Sequence, residues 1–482
     1  MKESIVLYPA PGSHQIISMV ELAKLICQHH PNLPITILLT TSTPFETSTT
    51  SSSHINLISS DQNQTNPNLP ISFFTLPSLH LHQSHIENPV ESAIEFMRLN
   101  IPNVLQALET ISQSSKVLAF IKVVIKSNMF RSLSTSSVHH PYDPQIPTYF
   151  YFTSCASALA LFLYLPTIHN QTPKSFIDLN DAVLHFPGLP PLRASQMPLP
   201  LLDHGGPAYE YFLNFAACLP KSQGIITNTF QSLEPSAIKA ISNGSCVPNH
   251  QTPPIFHIGP LNFDAKNRAS SACEDRSTST KCLMWLDKQP SQSVVFLCFG
   301  SRGAFSEAQL SEIAMGLERS KQRFLWVVRS PPGLSSVEPD LEILLPKEFL
   351  ERTKNRGLVV KSWAPQAAIL RHGCVGGFVT HCGWNSVLEA VTYGVPMAAW
   401  PLYAEQAVNG VVLVEEMKLG IPVESKEGFV SAEEVEKKVS LLMDEKSLRE
   451  RSQAMKAMAL AAWNNGGSSF TSFSKMVTSW KQ

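Results

Sequence analysis

The residues of this chain whose types and spacing could do chemistry are concentrated between Trp363 and Gln406, which read WAPQAAILRHGCVGGFVTHCGWNSVLEAVTYGVPMAAWPLYAEQ. Val375 to Thr380 reads as a short apolar strand, His381-Cys382-Gly383 as a tight turn, and Trp384 to Tyr393 as a helix closed by Gly394 and Pro396. A strand that passes through a glycine turn into a helix N-terminus presents free backbone N–H groups and a positive dipole end to one point, which suits a phosphate. Ordinary strand-to-helix packing uses the same features, so the pattern alone leaves both readings open. It is not GxGxxG, which argues against a dinucleotide.

Stepping outward, a series of short apolar runs must position this segment. Ser293 to Phe299 ends in Gly300-Ser301, and Phe324 to Val328 and Leu358 to Val360 follow, each β-branched and bounded by polar residues or glycine. At the other end of the chain, Ser4 to Tyr8 reads as a buried strand, Pro9 to Ser13 as a turn, Ile16 to Gln28 as a helix and Pro34 to Thr40 as a second strand. That is a βαβ opening, and it implies a parallel sheet with its ligand edge at the strand C-termini. Residues 41 to 70 are too rich in Ser, Thr, Asn and Gln to pack a core and read as a long surface loop. Ile258 to Leu261 and the polar stretch Asn262 to Lys281 read as a linker. The expectation is an α/β protein of two Rossmann-like, doubly wound domains facing a central cleft: residues 1–258, residues 259–460, and a C-terminal helix in 461–482 that returns to the first domain.

The bulk numbers agree with two domains, since 482 residues exceed what one hydrophobic core usually serves. Lys plus Arg (37) and Asp plus Glu (38) nearly cancel, so there is no electrostatic footprint for nucleic acid. Nine cysteines, without CxxC or Cys/His ligand spacing, fit thiols in a reducing compartment better than a disulfide scaffold or a metal site, and the cytoplasm is the expected location. No apolar run reaches transmembrane length, and a monomer that meets small molecules is the expected state.

The segment from Trp363 to Gln406 resembles the nucleotide-sugar box of plant UDP-dependent family 1 glycosyltransferases, matching at Trp363, Gln366, His381, Gly383, Trp384, Asn385, Ser386, Glu389, Pro396, Glu405 and Gln406. The likeness extends through Pro9-Ala10-Pro11 and Phe299-Gly300-Ser301 to Trp480-Lys481-Gln482. It implies the GT-B fold and a UDP-sugar co-substrate, UDP-glucose in the first place, with no metal and no other cofactor. It further implies that Trp363 stacks on uracil, with the Ala364 backbone and Gln366 beside base and ribose. Glu389 would accept the ribose hydroxyls, His381, Asn385, Ser386 and Ser301 would sit at the diphosphate, and Trp384, Glu405 and Gln406 would surround the hexose. The acceptor would be a small hydrophobic plant metabolite, phenolic or flavonoid-like, held by the first domain at residues 12 to 15, Phe152 to Ala156, and Phe186-Pro187-Gly188 through Met197-Pro198.

The chain departs from the family where the base belongs. Inverting transfer requires a base on the acceptor hydroxyl, and the family's pattern Pro-x-Pro-Gly-x-Gly-His-Leu supplies a His oriented by an Asp. Here the sequence is Pro9-Ala10-Pro11-Gly12-Ser13-His14-Gln15-Ile16, which places Gln15 at the base position and His14 one residue early. Adjacent Cα atoms lie about 3.8 Å apart and, near a helix start, point about 100° apart, so His14 inherits the role only if the loop shifts. At the Asp position stands Val123 in one alignment and Asn128 in another, and Arg131 to Gln145 is longer and more polar than the pattern, either an insertion or retained intron sequence. Two readings follow: a working UDP-glucose-dependent inverting O-glycosyltransferase, or a UDP-sugar-binding relative with weak or lost transfer. An NAD(P)-dependent reductase lacks its glycine fingerprint.

Overall fold

The computed structural model describes residues 2–40, 69–79, 89–123, 146–179, 181–248, 250–261, 276–334 and 338–481. The chain forms two compact units, one of residues 1–262 together with 462–482, the other of residues 263–461.

The first unit is built on a parallel sheet of seven strands in the order β3-β2-β1-β4-β5-β8-β9. In chain order these are β1 (Lys2–Tyr8), β2 (Ile35–Leu39), β3 (Ile71–Thr75), β4 (Ser115–Lys122), β5 (Thr148–Phe152), β8 (Gly224–Thr227) and β9 (Ile255–His257). A small antiparallel pair, β6 (Val183–Leu184) and β7 (Leu192–Arg193), stands apart from it. Central strands read as nearly unbroken apolar runs because helices cover both faces of a parallel sheet; Ile5 to Tyr8 and Val117 to Lys122 are buried throughout. The helix Ser13–His29 starts three residues before the expected Ile16, because Gly12 takes φ 118° and its carbonyl then accepts from the N–H groups of Gln15 (3.0 Å) and Ile16 (3.3 Å). That places His14 and Gln15 in the first helical turn rather than in a loop.

The return of the chain is tied down by specific contacts. Trp463 Nε1 donates to the Pro260 carbonyl (2.9 Å), Ser469 Oγ donates to the Gly259 carbonyl, and Tyr149 and Ser479 share a hydroxyl hydrogen bond (3.0 Å). The helix Ala156–Gln171 begins against a buried carboxylate: Glu234 accepts from the backbone N–H groups of Ala156 (2.9 Å) and Ser157 (2.8 Å) and from the Ser157 hydroxyl (2.7 Å). An anion at a helix N-terminus satisfies otherwise orphaned donors and opposes the dipole favourably.

The second unit carries six parallel strands in the order β12-β11-β10-β13-β14-β15, namely β10 (Val294–Cys298), β11 (Arg323–Val328), β12 (Gly357–Lys361), β13 (Val375–Thr380), β14 (Met397–Ala399) and β15 (Gly420–Pro422). Strand β13 and the Trp384–Tyr393 helix run over the residues expected for them. Val295, Leu297, Phe324 and Trp326 form the core with Leu310, Ile313 and Leu317 of the Glu307–Ser320 helix and Val435 and Val439 of the Ala432–Asp444 helix. Gly316 sets how closely those two helices pack, since a Cβ there would lie 2.5 Å from Val435 Cβ. The expected linker is helical from Arg276 to Leu286, because Cys282 and Leu286, one turn apart, are both buried. Residues 41–68, Asn128 and Arg131 to Gln145 lie outside the described residues.

Candidate active site

In a doubly wound sheet the strand order reverses direction at one point, and ligands bind outside the strand C-termini there. In the second unit that point falls between β10 and β13. The segment after β10 carries Ser301, which is exposed, and the segment after β13 carries His381. The loop after the edge strand β12 carries Trp363, and the segment after β14 carries Glu405 and Gln406. One edge of one sheet thus gathers the candidates from four strand ends.

The turn after β13 is held from both sides. Cys382 adopts φ 62°, its N–H donates to Thr380 Oγ1 (3.2 Å), and its carbonyl accepts from Asn409 Nδ2 (2.9 Å). Gly383 then takes the N-cap of the Trp384–Tyr393 helix, and no side chain caps that end. The His381 imidazole is wedged between two glycines: a Cβ on Gly300 would lie 2.6 Å from His381 Nε2, and one on Gly383 only 2.4 Å. Gly300 also holds φ 75°, a conformation that favours glycine. Burial pushes the His381 pKa down to about 4, so the ring is neutral at pH 7, and its Nδ1 is buried without a hydrogen-bond partner. An imidazole with an unpaired buried nitrogen and, beside its ring, an uncapped helix N-terminus both leave polar groups for a ligand to satisfy.

The remaining candidates form two smaller arrangements. Ser362 takes φ 58° and turns the chain after β12 so that Trp363 stays half-buried, with Ala364 buried behind it. Gln366, the first residue of the next helix, donates from Nε2 to Ser386 Oγ (3.0 Å) and Glu389 Oε2 (2.8 Å), joining three of the candidates directly. Glu389 is buried at 4% exposure, and Trp384 and Ser386 are also buried, while Asn385 is half-buried. After β14, Gln406 is buried and its Oε1 accepts from the backbone N–H groups of Leu402 (2.9 Å) and Tyr403 (3.0 Å). Its acceptor oxygen therefore fixes the loop, and the side chain also hydrogen-bonds the Tyr403 hydroxyl, so a ligand would share the Gln406 amide N–H₂ with that tyrosine. Glu405 accepts a long bond from Asn409 Nδ2 (3.5 Å). Among the described residues, no group of three His, Cys, Asp or Glu side chains is placed to hold a metal ion.

In the first unit the same reversal falls between β1 and β4, which brings Gln15, after β1, and Val123, after β4, to the same edge. The side chains of Ser13 and His14 lie outside the described residues. Gln15 Oε1 is buried with no hydrogen-bond partner. Val123 is buried and its N–H donates to the Tyr8 carbonyl (3.3 Å), so the Asp position in that alignment is part of the sheet edge. Of the expected acceptor segments, Phe152, Cys155, Ala156, Phe186 and Met197 are all buried. Gly188 packs on the Pro235–Ser242 helix, where a Cβ would meet Ala240 Cβ and the Ser236 carbonyl at 2.7 Å.

Two charged residues at these edges were missed by the sequence reading. Lys122, the last residue of β4, is 3% exposed, sits over the rings of Phe150 (5.2 Å) and Phe120 (5.9 Å), and has its pKa driven down to about 8 by burial. Arg329, just after β11, has its Nε buried without a partner, and burial lowers its pKa against the opposing effect of Cys298 and Tyr403 nearby. A cation set within or at the end of an apolar run, as in LAFIKVVI and FLWVVR, was the available signal for both.

Comparison with known proteins places this arrangement. A family model described as UDP-glucoronosyl and UDP-glucosyl transferase matches residues 257–461. An anthocyanidin 5,3-O-glucosyltransferase from a Rosa hybrid cultivar is 47% identical across 100% of this chain and 99% of its own length. A phloretin 2'-O-glucosyltransferase from Malus domestica is 46% identical over 99% of this chain and all of its own length. Among solved structures, Phytolacca americana UGT2 complexed with UDP-2fluoro-glucose and pterostilbene aligns over all of both chains with TM-score 0.83 and 33% identity. Medicago truncatula UGT71G1 complexed with UDP-glucose aligns over 100% of this chain and 99% of that one, with TM-score 0.82 and 32% identity.

Proposed function

Because this chain belongs to the plant UDP-glycosyltransferases, shares their GT-B fold and is an enzyme that uses a UDP-sugar, we propose that it is an inverting O-glucosyltransferase that moves glucose from UDP-glucose to a phenolic, flavonoid-like acceptor. One observation carries the donor half of this reading: the neutral His381 imidazole, with its Nε2 edge held against Gly383, lies beside the uncapped N-terminus of the Trp384–Tyr393 helix. A diphosphate there would satisfy the imidazole and the first-turn N–H groups together, and the dipole would stabilise the negative charge that develops on UDP as it leaves. Glu389, fixed by Gln366, is the acceptor for ribose hydroxyls, and Gln406 offers its amide N–H₂ to a hexose hydroxyl. Names of relatives that act on anthocyanidin and phloretin support a phenolic acceptor.

The acceptor hydroxyl attacks the anomeric carbon from the face opposite UDP; the C–O bond to the diphosphate breaks as the new glycosidic bond forms, and the hydroxyl proton must leave. An amide at position 15 cannot take that proton. A positioned base is worth about 10²- to 10⁴-fold, so transfer here depends on acceptors already ionised near neutral pH. The buried, unpartnered Oε1 of Gln15 favours a second reading, a donor-binding relative with weak transfer. UDP release measured with UDP-glucose and a panel of flavonoids, simple phenols and alkyl alcohols, against a control without acceptor, tests both. Turnover on acidic phenols that rises with pH supports the transferase. No release above the control with any acceptor, while UDP still binds, selects the second reading.

A further inference from the structure

The sheet of the second unit has a second built feature at its opposite end. Where β10, β13 and β14 begin, a polar cavity of about 120 Å³ is lined by Arg371, Arg449, Lys456, Gln453, Gln292 and Tyr393, among others, and its lining contains no carboxylate. Among the described residues, Arg371, Arg449 and Lys456 form no ion pair, and Arg449 Nε is buried without a hydrogen-bond partner. Two acids of adjoining segments are engaged elsewhere: Asp287 Oδ1 meets His372 Nε2 (3.0 Å), and Glu445 accepts from the Ser447 hydroxyl (2.6 Å).

Helix ends explain part of this charge. The helices Gln366–Arg371, Trp384–Tyr393 and Ala432–Asp444 all finish here; Arg449 Nη2 donates to the Met443 carbonyl (2.7 Å), and Gln453 Nε2 to the Gly394 carbonyl (2.9 Å). Each helix end carries at most about half a negative charge, so three of them offset about half of three full cations. The surplus remains, in a cavity with room for several waters or one tetrahedral oxyanion.

We propose that this cavity is a binding site for a phosphoryl group, as inorganic phosphate or as a small phosphate monoester, separate from the donor site. Two arginines with planar forks and one lysine are the residue types that bind phosphate, and Arg449 Nε is the donor that such a ligand would satisfy. The six residues of β13 separate this end from His381 by on the order of 20 Å. The Trp384–Tyr393 helix joins the two ends, its N-terminus at the donor candidates and its C-cap, Gly394, at this cavity. Occupancy here therefore bears on the same helix that carries Glu389.

The test uses the full chain saturated with UDP, so that the donor site is filled, and titrates inorganic phosphate and glucose 6-phosphate in separate calorimetric experiments. Saturable binding of either is expected, with Kd raised about tenfold or more in the double variant R371Q and K456Q. UDP affinity in that variant should stay unchanged. Arg449 is left in place because it also holds the Met443 carbonyl. Tighter binding of the ester identifies a monoester as the ligand, and tighter binding of phosphate identifies the free ion. The proposal is overturned if neither probe binds saturably, if the double variant binds as tightly as the parent, or if sodium chloride at matched ionic strength reproduces the response.

Discussion

Replacing Glu389 with Ala separates a ribose contact from a merely structural carboxylate. Glu389 is 4% exposed and its Oε2 already accepts from Gln366 Nε2 at 2.8 Å, so one strong charge-assisted bond to a ribose hydroxyl is the expected addition when UDP binds. Such a bond contributes about 1.5 to 3 kcal/mol, which raises Kd for UDP by about 10- to 150-fold on its loss. A simple weakening would not prove the contact, because Gln366 also loses its partner and the loop can move. Calorimetry with 2'-deoxy-UDP resolves this. The parent should bind the deoxy nucleotide more weakly than UDP, and Glu389→Ala should bind the two alike, since the group that distinguishes them is gone. Glu389→Gln, which keeps shape and one neutral acceptor, should fall between. If Glu389→Ala, still folded by its urea transition, discriminates the two nucleotides as strongly as the parent, the ribose assignment is wrong.

Four further outcomes follow from particular side chains. His381 is held neutral with a pKa near 4 against about 6.5 unfolded, so the unfolded chain takes up a proton first as pH falls; lowering pH from 7 to 5 should cost about 2 kcal/mol of stability at this site, visible as a drop in urea midpoint that is smaller in His381→Gln. Gly383→Ala puts a methyl 2.4 Å from His381 Nε2 at a backbone conformation alanine accepts, so UDP affinity should fall by about 1 to 3 kcal/mol in calorimetry; unchanged affinity would show that the ring yields freely. Lys122→Met removes a buried ammonium together with its contacts to the Phe120 and Phe150 rings and keeps its stem; relieved desolvation should match or outweigh that loss, so the unfolding midpoint at pH 7 should hold or rise, and a loss above about 1 kcal/mol would show that the contacts outweigh burial. With Gln406 Oε1 committed to the Leu402 and Tyr403 N–H groups, the proposed hexose contact falls to the amide N–H₂; kcat/KM should favour UDP-glucose over UDP-galactose, and equal values would remove Gln406 from the hexose.

Much of the frame was legible because it rests on local patterns. The apolar run of β13 and the Gly383 to Gly394 punctuation of the following helix carry their own boundaries, and the structure reproduces both. The beginning of the first helix was read three residues late, because its start is set by the unusual φ of Gly12, which no side-chain pattern announces. Within the box, sequence spacing named residues but not their pairing. That Gln366 bonds Ser386 and Glu389 depends on how the Gln366–Arg371 and Trp384–Tyr393 helices pack, and that Gln406 turns its oxygen to the Leu402 and Tyr403 N–H groups depends on the path of the loop after β14. The acceptor segments were least legible: Phe186 and Met197 are aromatic and apolar, as a pocket would require, but a core requires the same, and here they are buried.

The split composition of the first unit has a consequence for how the chain is made on a ribosome. Residues 1–262 emerge first, yet Trp463, Ser469 and Ser479, which bond to Pro260, Gly259 and Tyr149, belong to 462–482. At about 5 to 20 residues per second, translation of the intervening unit takes on the order of 10 to 40 s. Throughout that interval β9, the edge strand on which the Ser468–Ser479 helix packs, lacks its cover. An uncovered sheet edge is a template for strand addition. The nascent protein therefore passes through a window in which its second unit can be complete while its first cannot, and a chaperone that shields strand edges should raise the yield of soluble protein most when elongation is slowed between codons 263 and 461.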